Sequence, residues 1–96
     1  MAAMQFLPEL KKFLKSNGKI YTVRKYKYPP NSLVLVLGVG KCRRTLVASD
    51  VSKEYLNNYY HYSGFSSTSD WWSKIVQFIP NSEYIKYLYK VEVVNG

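Results

Sequence analysis

"GKIYTVRKY", Gly18 to Tyr26, is a β-branched and aromatic run that nonetheless carries Lys19, Thr22 and Arg24. Such a run predicts a strand, and on a strand residues two apart share a face, so Thr22 and Arg24 point the same way. Lys19 has the other parity, but it follows Gly18, where a turn of the backbone would bring its long side chain over the same edge. Ile20, Tyr26 and Tyr28 share the Thr22 parity while Tyr21 and Val23 oppose it, so the apolar count alone does not say which side is core. The strand is expected over Lys19 to Tyr28, ending at Pro29-Pro30, which cannot donate to a ladder.

Upstream, Pro8 and Glu9 suit a first helical turn, and Phe6, Leu10, Phe13 and Leu14 recur at helical spacing, predicting a helix over Leu7 to Lys15. Downstream, "PPNS" is a turn and Leu33 to Leu37 is an apolar run too short for a helix, hence a strand expected to be buried on both faces. "GVGK" turns the chain into a further strand, "CRRTLVAS", in which neither face is cleanly apolar. Asp50 is placed to cap a short helix through Tyr59, followed by an aromatic loop from Tyr59 to Gly64. Ser67 and Asp70 form a capping box, and Trp72, Ile75, Val76 and Ile79 give an apolar helical stripe before Pro80. The chain closes on "KYLYKVEVV", alternating as a half-buried strand should.

At 96 residues, nearly half of them apolar and ten of them Tyr, the sequence has the composition of one α+β domain that folds around a modest core, not that of a disordered chain. One cysteine, Cys42, excludes an internal disulfide, and with one histidine, His61, there is no Cys/His set for structural zinc; no metal or cofactor is expected. The Gly38-x-Gly40 turn lacks the spacing of a phosphate loop and reads as a hairpin. No apolar run reaches the length that crosses a bilayer, and no basic segment leads into an apolar one at the N-terminus, so the chain reads as soluble, intracellular and cytoplasmic, without a membrane partner.

The net charge of +8 is unevenly placed. Residues 1 to 50 hold ten Lys/Arg against Glu9 and Asp50, whereas residues 51 to 96 hold four Lys against four carboxylates. A one-sided surplus interleaved with tyrosines suits a polyanion whose bases can stack, although solubility alone would also account for a surplus of this size.

"FLPEL" followed by "GKIYTVRKY", "SLVLV", "SGFSSTSDWW" and "YLYKVEVV" resembles the ASCH family, small domains of the PUA-like superfold. The most specific part is Gly-Lys-x-x-Thr-x-Arg at Gly18, Lys19, Thr22 and Arg24, supported by Gly64, Phe65 and Ser67 before a helix. The resemblance implies a β-barrel-like sheet with flanking helices and a cleft into which Lys19, Thr22 and Arg24 point.

It also implies RNA or a nucleotide-like ligand as partner. Lys25, Lys27, Arg43 and Arg44 would supply the surrounding field, and Trp71, one step round the helix from the core residue Trp72, a stacking platform. Some members of the family are amidohydrolases acting on acylated cytidine, and for that alternative Lys19 would activate a nucleophilic Thr22. The acidic third member is missing, since Asn57 to Ser69 contains no carboxylate. A protein-interaction module, suggested by the many tyrosines, is a further alternative.

Overall fold

Pro8 opens α1 (Pro8–Asn17), with Glu9 in its first turn and Gly18 ending it in the left-handed conformation, φ 81°, its amide donating to Leu14 O at 2.8 Å. That sharp stop lets β2 (Lys19–Arg24) begin at the next residue. The computed structural model describes residues 1–94. It continues with β3 (Asn31–Val36), β4 (Gly40–Ala48), two 3-10 turns at Tyr55–Asn58 and Tyr60–Tyr62, α2 (Thr68–Phe78) and β5 (Tyr87–Val93). A short β1 (Ala2–Met4), not expected from the sequence, precedes α1.

The strands form one five-stranded mixed sheet in the order β1-β3-β4-β5-β2, antiparallel except where β1 runs parallel to β3. The sheet is not closed: β1 and β2 are its two edges, and no ladder joins them. A side chain spans the gap instead, Arg24 Nη2 donating to Gln5 O at 3.2 Å just beyond β1.

Ladder register sorts the side chains onto two faces. On the inner face Met4, Val34, Val36, Cys42, Ile20 and Val91 pack with Leu14 of α1 into one buried cluster. On the other face Leu88, with Tyr21, Val23 and Val47, packs beneath Trp71 and Ile75 of α2, Ile79 just past its end, and Val51 and Leu56. Burial of this apolar surface, at roughly 25 cal/mol per Å², is the main force holding helices to sheet.

Several sequence expectations are revised by this packing. β5 is not half-buried: it lies between β4 and β2, and Leu88, Tyr89 and Val91 are all buried. β3 is not buried on both faces, because no helix covers its outer side, where Leu33 and Leu35 are exposed. β2 ends at Arg24, four residues early, where β5 has no further partner residue to offer. Asp50 does not cap a helix; its φ of 56° is incompatible with N-cap geometry, and Ser52 Oγ accepts from the Tyr55 amide at 3.2 Å instead. The apolar stripe of α2 is rotated, so Trp71 is 3% exposed and Val76 42%. Trp71, Ile75 and Ile79 repeat every four residues, and that row faces the sheet.

Gly64 lets the aromatic loop lie against α1. Its φ is 87°, and a Cβ there would meet the Leu10 side chain at 2.5 Å.

Ser67 is the N-cap of α2, its Oγ accepting from the Asp70 amide at 3.1 Å, while the Asp70 carboxylate accepts from Ser66 Oγ at 2.8 Å. Only half of the expected capping box is therefore made. Ser67→Ala should cost about 1 kcal/mol, lowering Tm by roughly 4–8 °C, and more than Asp70→Ala. Thermal melts of both variants, followed by circular dichroism, check the order, and an unshifted Ser67→Ala would deny the cap.

Candidate functional site

Between the N-terminal part of α1, the β2 edge and α2 lies a cavity of about 450 Å³. Phe6, Tyr21, Tyr26, Tyr28, Phe65, Trp71 and Phe78 give it aromatic walls, and its cationic residues are Arg24, Lys25 and Lys74. Among the described residues no Asp or Glu lines it. The edge position of β2 matters, since with β5 on one side only its other side is left for the cavity, which Thr22 and Arg24 line.

Arg24 is the most constrained of the cations. Its Nε donates to Thr22 Oγ1 at 3.1 Å, its Nη2 reaches Gln5 O, and its guanidinium lies 4.9 Å from the Phe6 ring centre. Burial pulls its pKa below the ordinary arginine value, with Tyr28 acting against that shift and the Arg44 charge adding to it. Among the described residues no carboxylate pairs with the guanidinium, which sits in a site walled by aromatic rings.

The loop beyond β2 is fixed by Tyr89. Its buried hydroxyl accepts from the Tyr28 amide at 2.6 Å and donates to Tyr26 O at 3.1 Å, so both tyrosines are held beside the cavity. Burial pushes the Tyr89 phenol up, with the Tyr28 amide and the Arg44 charge pulling the other way.

The structure brings together only some of the residues singled out in the sequence. Thr22 and Arg24 meet on one face, as their parity requires, and Lys25 joins them at the cavity, its Nζ 5.2 Å from the Tyr26 ring centre and 5.3 Å from that of Tyr84. Lys19 stays outside the lining: the backbone is already regular strand there, opposite Glu92, and its Nζ lies 4.5 Å from the Tyr62 ring centre. Lys27 is exposed and outside the lining. Arg43 is exposed on the outer face, donating to Asn31 Oδ1 at 2.8 Å. Its neighbour Arg44 is buried on the inner face beneath Tyr28, 3% exposed, and so is no part of a surface field. Trp71 is a buried wall of the cavity instead of an exposed platform.

Tyr28 and Lys74 belong to the cavity although no motif marks them, and Phe6, expected on the apolar stripe of α1, lines it too. Lys74 could have been found from helical spacing, as it follows Trp71 by three residues and precedes Phe78 by four. Cys42 is buried, its thiol pushed up by that burial, and donates to Gly40 O at 3.7 Å, which makes it a packing residue.

Comparison with protein-family models, with curated proteins and with solved structures finds no match to this chain.

Proposed function

We propose that this chain is an ASCH-like, PUA-like domain that binds RNA or a nucleotide-like ligand in the cavity beside β2. The observation that carries the proposal is the cavity lining itself, seven aromatic rings and three cations without a carboxylate. Aromatic faces stack on bases irrespective of sequence, and an Arg fork meets phosphate or a base edge with two parallel hydrogen bonds. Binding is favoured over turnover because Lys19 lies outside the lining and Thr22 Oγ1 is engaged by Arg24 Nε. A nucleophilic threonine needs a base beside it.

If Arg24, Lys25 and Lys74 each neutralise one phosphate, affinity for single-stranded RNA should fall roughly twentyfold between about 50 and 200 mM salt, from a slope near −0.7 per phosphate. Fluorescence anisotropy with a labelled oligonucleotide measures this. Absence of binding at about 50 mM salt, or an affinity indifferent to salt, would remove the reading.

A further inference from the structure

Gly18 O accepts from the Val93 amide at 2.9 Å, and Val93 stands opposite Gly18, one step beyond the Lys19–Glu92 pair. In an antiparallel ladder such bonded pairs recur at every second residue, so Ile20, Thr22 and Arg24 turn both N–H and C=O toward β5. Tyr21 and Val23 therefore turn theirs the opposite way, toward the free edge of the sheet. The far side of β5 has the matching phase. There Val94 donates to Lys41 O at 3.1 Å, so odd-numbered residues of β5 bond to β2 and even-numbered ones to β4. Among the described residues no other backbone group bonds to Tyr21 or Val23.

The cavity runs along that edge. Ile20, Thr22 and Arg24 project to one face of the sheet and Tyr21 and Val23 to the other, yet all of them line it. A cavity lying over one face would be lined by alternate residues, whereas one that meets the strand side-on takes both parities. The outward N–H and C=O of Tyr21 and Val23 thus belong to its wall. Each of these residues presents one donor and one acceptor side by side. An unpaired base offers the complement, because its Watson–Crick edge also sets a donor next to an acceptor. Phe65 and Trp71 in the same lining supply aromatic surface for its faces. Arg24 Nη2 reaches Gln5 O across the gap just past Val23, which leaves a short stretch of open edge, suited to a planar group more than to an added strand.

We propose that the backbone N–H and C=O groups of Tyr21 and Val23 pair with the Watson–Crick edge of an unpaired base held in the aromatic cavity. The choice of ligand rests on the function proposed above, while the direction of the backbone groups rests on the ladder alone. Every base has such an edge, so the site selects unpaired bases over paired ones more than one base over another.

The test compares uridine 5′-monophosphate with 3-methyluridine 5′-monophosphate, which keeps the charge and the ring but loses the N3–H and blocks the edge. Calorimetric titration of the intact chain at about 50 mM salt should show the methylated nucleotide binding at least about tenfold more weakly. Amide hydrogen exchange followed by NMR locates the contact. In the free protein the Tyr21 and Val23 amides should exchange faster than those of Ile20, Thr22 and Arg24, and saturating uridine monophosphate should slow them. Val23→Pro removes one outward donor at an edge position that tolerates proline, and should narrow the difference between the two nucleotides. If that variant does not fold, the methylated probe and the exchange rates still decide. Equal affinities for the two nucleotides, or unchanged exchange at Tyr21 and Val23, overturn the base-edge contact and leave the proposed function standing. If neither mononucleotides nor single-stranded RNA bind, the proposed function falls and this contact with it. Protection of Tyr21 and Val23 by an extended acidic peptide but not by nucleotide would assign the edge to strand addition and overturn the proposal.

Discussion

Trp71→Ala should lower Tm by more than about 12 °C, the largest stability loss expected from a single side chain on α2. Its indole is 3% exposed and packs with Val51, Leu56, Ile75, Ile79 and Leu88, joining helix to sheet. Truncating a buried Trp typically costs about 3–5 kcal/mol, through lost transfer energy and the cavity left behind. That is a large fraction of the about 5–15 kcal/mol holding a domain together. Trp72→Ala should cost much less, since Trp72 is only half-buried, one side facing the Lys86 ammonium 5.7 Å from its ring centre. Thermal melts of the two variants side by side measure the phase of α2. The reverse order would mean that the helix is rotated from the position described.

Arg24→Ala should weaken RNA or nucleotide binding by roughly 10- to 150-fold, the equivalent of the about 1.5–3 kcal/mol that hydrogen bonds to a charged group contribute. The guanidinium is held by Thr22 and Gln5 and lies against Phe6, so the free protein already presents it in one orientation. Little ordering cost then remains for the ligand to meet. Stability should change less than affinity, by about 1 kcal/mol, because losing two hydrogen bonds is partly offset by no longer keeping a desolvated cation. Arg24→Lys should recover only part of the affinity, since an ammonium keeps the charge without the fork. Calorimetric titration at about 50 mM salt, paired with a melt, separates the two effects, and an Arg24→Ala protein that binds like the parent would exclude the cavity as the binding site.

Local signals were strongest where one residue type carries one meaning. Pro8 and Gly18 bracket α1, and Ser67 marks the start of α2. β1 was invisible because Ala2, Ala3 and Met4 have no strand signature; only pairing with β3 makes them a strand. The stripe expected through Trp72 and Val76 is displaced by one residue, about 100° of rotation, because tertiary packing turns the neighbouring Trp71 to the sheet. The Arg43–Arg44 pair looked like a surface charge run. Yet Arg44 shares its parity with Cys42, one residue type commonly buried, and strand alternation puts the two arginines on opposite faces. Thr22 and Arg24 were legible as a pair from that same alternation. The exclusion of Lys19 from the cavity was not, because it depends on Gly18 ending a helix instead of bending the strand.

The position of β5 has a consequence for how the molecule is made. β2 is bonded to the sheet through β5 alone, and β5 follows β2, β3 and β4 in chain order. β3 and β4 can form their hairpin while the chain is still growing, but β2 has no ladder to join until Val93 has emerged. The strand that bears Thr22 and Arg24 thus waits for a strand made after β3, β4 and α2. A nascent chain can hold a β3–β4 hairpin and two helices and still lack the cavity beside β2 until β5 has been made.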